Sequence, residues 1–167
     1  MATPHFTVDK MLGRLATWLR IIGYDATYGS HLGGRTLVRH ARAQERIVLT
    51  RDRRLLRERP CPPLLLIESD HFRDQLRQVI DAYQLDPFAQ LFARCARCNV
   101  PLCAVAKEEV ADRVPPYVAA TQAQFVRCPR CGRLYWPATH LERVRRELEG
   151  MGLSPRPSSD HSPTGPP

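Results

Sequence analysis

The chain lacks any apolar run long enough to cross a bilayer. No stretch of 18 or more apolar residues occurs among its 167 residues, whereas a spanning helix needs about 20. Its opening, Met1 through Asp9, has no long apolar segment of the kind that marks a secretory signal. These two absences lead to the expectation of a cytoplasmic protein with no membrane partner. Internal repeats are missing too, apart from two short cysteine motifs. Negative charge is in short supply: 25 basic against 17 acidic residues leave a formal +8, which favours an anionic partner.

What is present suffices for a modest core. Apolar residues make up 43% of the chain, and the length fits one compact domain or two small ones. Short apolar runs at 5–9, 25–28, 46–50 and 63–68 read as strands. They alternate with helical patterns at 9–22, 35–44, 52–59 and 70–83. On the first helix Met11, Leu12, Leu15, Ala16, Leu19 and Ile22 share one face. Strands alternating with helices imply βαβ units and a mainly parallel sheet, an α/β fold. The pattern changes near Phe92. The division expected is 1–92 for the α/β unit, 93–150 for a cysteine-bearing unit ending in a charged helix, and 151–167 for a tail. That tail holds five Pro, four Ser and two Gly, a composition that predicts disorder and a contact segment for a protein partner.

Two CxxC motifs, Cys95-Ala-Arg-Cys98 and Cys128-Pro-Arg-Cys131, stand 29 residues apart. Each presents two sulfurs from a tight turn, and together they supply the four ligands of a tetrahedral zinc site. A closed four-thiolate sphere points to a structural Zn²⁺. With four thiolates bound to it the net charge falls to about +6, still basic. A redox CxxC pair is the competing reading. Cys61 and Cys103 have no partners at ligand spacing.

Three acids follow three of the strands: Asp9, Asp52 and Asp70. In open parallel sheets ligands bind outside the carboxyl ends of the strands. Carboxylates gathered there bind Mg²⁺ or Mn²⁺, which activates water and neutralises charge on a scissile phosphate. Asp9 and Asp52 make the best pair. The bland reading is that an Asp at a strand-to-helix junction is a helix cap, and it suits Asp70 best. Lys10 and Arg14 stand beside Asp9, and Arg51 and Arg53 flank Asp52. From Arg35 to Arg59 nine Arg face three acids. Arg35, Arg39, Arg42 and Arg46 are spaced to line one outer helix face, either a solvated face or an RNA contact. His31, His40, His71 and His140 read as surface or structural residues, and Trp18 and Trp136 as packing.

Phe6-Thr-Val-Asp9-Lys-Met-Leu-Gly-Arg-Leu-Ala-Thr-Trp-Leu-Arg20, then Gly23-Tyr-Asp25, resembles the opening of the Mut-seven C-terminal ribonuclease family. Arg46 to Arg53 resembles its second signature. Arg94 to Asn99 and Phe125 to Gly132, with Tyr135-Trp136 and Thr139-His140, resemble its zinc ribbon. The resemblance covers about Phe6 to His140. It implies a PIN-like nuclease fold, a mainly parallel sheet flanked by helices and followed by a small zinc ribbon. It implies metal-dependent RNA cleavage, with the family acids at Asp9 and Asp52. The chain departs from the pattern at Ser30 to Thr36, where the family carries an acid and this stretch has none. Asp25 or Asp70 is a candidate to compensate. Two functions stand open: a metal-dependent endoribonuclease, and a non-catalytic RNA- or RNP-binding module.

Overall fold

A computed structural model describes residues 3–155. Four parallel strands form the main sheet: β1 (Phe6–Val8), β2 (Ala26–Tyr28), β3 (Ile47–Thr50) and β4 (Leu64–Leu66), in the order β2-β1-β3-β4. Their helices are α1 (Gly13–Ile21), α2 (Gly34–Ala43) and α3 (Phe72–Tyr83). Each strand is a run of apolar or β-branched residues, which a sheet covered on both faces requires.

Alternation along the strands sorts the core. Phe6, Val8 and Leu49 pack with Leu15 and Leu19 of α1 and with Leu76, Val79 and Ile80 of α3. On the other face Val48 packs with Leu37, Val38 and Ala41 of α2. Thr7 faces the same way as Val48, and its hydroxyl lies 3.3 Å from His40 Nδ1 on α2.

Two details depart from helical periodicity. Residues Lys10–Leu12 form a 3-10 turn before α1 begins. Its tighter winding shifts the phase, so Met11 is 56% exposed and not on the buried face. The arginine stripe also ends early. α2 stops at Ala43, and Glu45 reverses the chain with φ of 51°. Arg46 therefore turns inward, where its guanidinium bonds the Asp25 carboxylate at 2.7 and 3.1 Å.

The second sheet is antiparallel and small: β5 (Cys103–Val105), β6 (Phe125–Arg127) and β7 (Leu134–Tyr135). A short helix α4 (Pro116–Thr121) sits in the excursion between the cysteine motifs, over a cluster of Val110, Val114, Val118 and Phe125. The last helix, α5 (Pro137–Gly150), returns to the first sheet, where Val144, Leu148 and Met151 join the core of Phe6 and Leu15. Met151 and Leu153, which composition places in the tail, thus pack against the core. Residues 156–167, the rest of that tail, lie outside the described residues. No described helix is long and apolar enough to cross a membrane.

One glycine is required just after α1, where the chain between α3 and Cys95 passes close to it. Gly23 has φ of +95°, and a Cβ there would sit 2.5 Å from the Gln90 carbonyl oxygen.

Candidate functional site

The strand order creates the crevice. From β1 the chain crosses to β2 on one side, then returns over β1 to β3 on the other. Such a reversal separates the connections above β1 and β3, and it is beyond the carboxyl ends of such strands that open parallel sheets take their ligands. Asp9 is the first residue after β1, and Asp52 the second after β3.

Asp9 is 1% exposed. Its backbone N–H donates to the Leu49 carbonyl at 2.9 Å, which holds the loop against β3. Its Oδ2 accepts from the Thr50 hydroxyl at 2.5 Å. Its Oδ1 is buried and accepts from no group among the described residues. Thr50, fully buried, also accepts the Asp52 backbone N–H at 3.0 Å. One hydroxyl therefore ties the acid after β1 to the loop that carries the acid after β3.

Asp52 is engaged differently. Its carboxylate caps the 3-10 turn at Arg53–Arg57 by accepting the Arg54 backbone N–H at 3.0 Å. The Arg54 guanidinium also clamps both oxygens at 2.9 Å. This fork-to-fork bond, with the backbone N–H behind it, holds the Asp52 carboxyl below the usual carboxylate range.

Asp70 lies on the loop after β4 with its side chain 70% exposed, and His71 Nε2 is 3.7 Å from its Oδ1. The entry to α3 is set by Ser69, whose hydroxyl accepts the His71 backbone N–H at 3.0 Å and donates to Asp74; His71 is the capping residue. Asp9, Asp52 and Asp70 do not form a three-carboxylate cluster of metal-binding size. Among the described residues the only such group of three or more is the cysteine cluster.

Lys10, Arg14, Arg35, Arg39, Arg42, Arg51 and Arg53 are all exposed. Arg14 lies flat over Phe72, 3.6 Å from its centroid, and Phe72 stacks on Trp18. Arg35 reaches Glu58 at 3.4 Å. His31, His71 and His140 are exposed, and His40 is half-buried. Trp136 packs against Phe125.

Cys95, Cys98, Cys128 and Cys131 bring their sulfurs within 4.8 Å of one another. Cys95 and Cys131 Sγ are 3.8 Å apart, the edge of a tetrahedron built on Zn–S bonds of about 2.3 Å. The two knuckles repeat one geometry. Cys98 N–H and Cys131 N–H each point at the sulfur three residues back, at 3.4 Å. Asn99 N–H and Gly132 N–H each donate to the first cysteine's carbonyl at 2.9 Å. Asn99 and Gly132 both hold left-handed backbone, φ 65° and 71°. Burial pushes the Cys95 thiol up, but donation from Tyr135 and from backbone N–H groups outweighs it and holds the group at about 6. Burial and the sulfurs around Cys98 push that thiol up to about 12. Several thiolates share this space only with a cation among them. These four residues are placed to hold a metal ion such as zinc; Cys61 and Cys103 stand apart and exposed.

Residues to which the sequence assigns no individual role bind the knuckle to the sheet. Arg20, 6% exposed, donates to the Ala26, Ala96 and Arg97 carbonyls. Asn99 accepts the Ala26 N–H at 3.0 Å and donates to Asp25 at 2.8 Å. Aligning the two knuckles would have flagged Asn99, since its counterpart is a glycine. Thr50 and Arg54 carried no comparable signal.

No curated protein and no solved structure matches the chain. The family model of the Mut7-C RNAse domain matches residues 4–148, from the strand leading to Asp9 through both cysteine knuckles into α5. The chain belongs to that family.

Proposed function

We propose that the chain is a metal-dependent endoribonuclease whose reaction centre lies at the ends of β1 and β3. The observation that carries this reading is Asp9 Oδ1, a carboxylate oxygen sealed from water and without a hydrogen-bond partner among the described residues. A buried anionic oxygen left unpaired costs several kcal/mol. A divalent cation of the Mg²⁺ or Mn²⁺ class answers that cost, because such ions take oxygen ligands. When bound, it supplies Lewis acidity toward water and screens the charge of a phosphodiester.

The chain's own residues do the rest. Thr50 fixes Asp9 so that Oδ1 stays available. Asp52 is the second ligand candidate, and it reaches a cation once Arg54 releases it. Asp70, exposed on the next loop, is the third. Lys10, Arg14, Arg51 and Arg53 hold the RNA backbone against this anionic centre, with Arg35, Arg39 and Arg42 extending the positive face. The four cysteines hold a structural Zn²⁺ and take no part in the chemistry.

A second reading, RNA binding without cleavage, is favoured by the Arg54 clamp on Asp52 and by the absent acid between Ser30 and Thr36. One experiment separates them. Protein freed of divalent ions other than zinc is mixed with single-stranded RNA, and Mn²⁺ is added to wild type and Asp9→Asn. The nuclease reading expects cleavage by wild type and a loss of about 100-fold or more in the variant. Equal cleavage by both, or none by wild type at high enzyme, overturns it. Salt-sensitive binding without cleavage supports the second reading.

A further inference from the structure

We infer that the cysteine knuckles carry a phosphate-binding subsite for single-stranded RNA, built on Arg97 and Arg130. This rests on the RNA-directed reading above and extends it to a surface away from the acidic crevice.

The two arginines hold the same place in their knuckles, each directly before the second cysteine. Because the knuckles repeat one geometry, both side chains come to the rim of one cleft of about 460 Å³, together with Arg20, Thr27, Tyr28, Cys98, Asn99 and Val100. No carboxylate lines this cleft. Asp25, the nearest acid to Asn99, is already taken by Arg46 and Arg94. Arg97 and Arg130 are exposed, and neither forms an ion pair among the described residues. Two exposed guanidinium groups at the rim of a carboxylate-free cleft, with the Thr27 hydroxyl beside them, match a phosphodiester: guanidinium forks pair with phosphate oxygens.

The competing account is that these arginines balance the negative four-thiolate centre. Arg20 already serves that role. It is buried beside Cys95 and Cys98 and bonds the first knuckle's carbonyls. Arg97 and Arg130 instead project into solvent.

Tyr28 connects the cleft to the crevice. The residue lines the cleft, and its hydroxyl donates to the Lys10 carbonyl at 2.9 Å, one residue beyond Asp9. A strand lying along Arg130, Arg97 and Tyr28 arrives at the ends of β1 and β3. The subsite therefore grips the backbone a few nucleotides from the bond presented to Asp9.

The test uses full-length, zinc-loaded protein in an Asp9→Asn background, which prevents cleavage during the measurement. Binding of a fluorescent oligouridylate is followed against salt concentration for R97Q/R130Q, for R97K/R130K and for R145Q/R146Q, an equal charge loss on α5. The glutamine pair is expected to bind about tenfold or more weakly at low salt, with a log–log salt slope shallower by about 1.4, the value for two lost single-strand contacts. The lysine pair should keep the slope, and the α5 pair should match the parent. Unchanged affinity and slope in R97Q/R130Q, or an equal change in R145Q/R146Q, overturns the subsite. So does loss of zinc from R97Q/R130Q, which would assign the arginines to the metal centre. Cleavage by the Asp9→Asn parent as fast as by wild type with Mn²⁺ would refute the Asp9-centred nuclease reading alone, and the salt slope would still decide the subsite.

Discussion

Thr50 serves Asp9 and the Asp52 loop through a single oxygen, giving its proton to one and accepting from the other. A hydroxyl can do both at once, and an isosteric methyl can do neither. Thr50→Val is therefore expected to lower stability by about 1–3 kcal/mol, since it strands two buried polar groups. Cleavage should fall by about 10–100-fold as Asp9 loses its orientation. Thr50→Ser should recover most of both. Urea unfolding and initial rates provide the check, and a fully active valine variant would remove Thr50 from the centre.

Arg54 competes for the second acid. Its side chain is 87% exposed, so solvent screens the pair and it contributes little to stability. Arg54→Ala should leave the melting temperature almost unchanged while tightening Mn²⁺ binding by about threefold to tenfold, because a charge-assisted clamp no longer has to open. Calorimetric titration with Mn²⁺ reads this directly. Weaker binding in the variant would mean that Arg54 belongs to the working arrangement.

The knuckle and the sheet edge should respond together. A thiol-avid chelator is expected to remove about one zinc and to loosen β2 and α1 along with the ribbon, because Arg20 and Asn99 bond both sides. Asn99→Gly keeps the left-handed backbone and deletes the side-chain bonds. It should retain zinc and lose about 1–3 kcal/mol. Asn99→Ala should lose about 1 kcal/mol more, for placing a Cβ in that conformation. Metal analysis and thermal melts distinguish the three proteins.

Asp25 gathers Arg46, Asn99 and Arg94 around one half-buried carboxylate. Burial alone would raise its pKa, but hydrogen bonds from Arg46 and Asn99 prevail and lower it. A carboxylate with a depressed folded-state value adds stability at every pH above the ordinary value of about 3.9, and loses it only as pH falls through the lower folded value. Asp25→Asn should therefore destabilise by about 2–3 kcal/mol at pH 7. The gap from wild type should be the same at pH 5, compared in samples whose zinc content is shown to be equal. Urea titrations at both values test it; a gap that closes already by pH 5 would refute the assignment.

Much of this was visible from residue order. Buried parallel strands are short apolar runs, and Phe6–Val8, Ile47–Thr50 and Leu64–Leu66 stood out for that reason. Cysteine spacing located the four sulfurs because a knuckle is local geometry. What escaped depended on chain reversals and distant partners. Met11 left the buried face because a 3-10 turn, not an α-turn, follows Asp9. Arg46 continued the arginine spacing on paper, but Glu45 turns the chain without a glycine to announce it. The bonds of Arg20 and Asn99 join residues more than 70 positions apart, beyond the reach of any local pattern. The same holds for Thr50, whose role depends on β1 and β3 being neighbours.

Leu148 closes the layer that Phe6 begins, at opposite ends of the described chain. A ribosome making this protein therefore completes the strands of that sheet before the helix that covers them. Until α5 emerges, the groove that receives Val144 and Leu148 is open and greasy, a surface for chaperones to guard. Loading the knuckles with metal while that helix is still inside the exit tunnel would give the nascent chain a fixed edge against which α5 can dock.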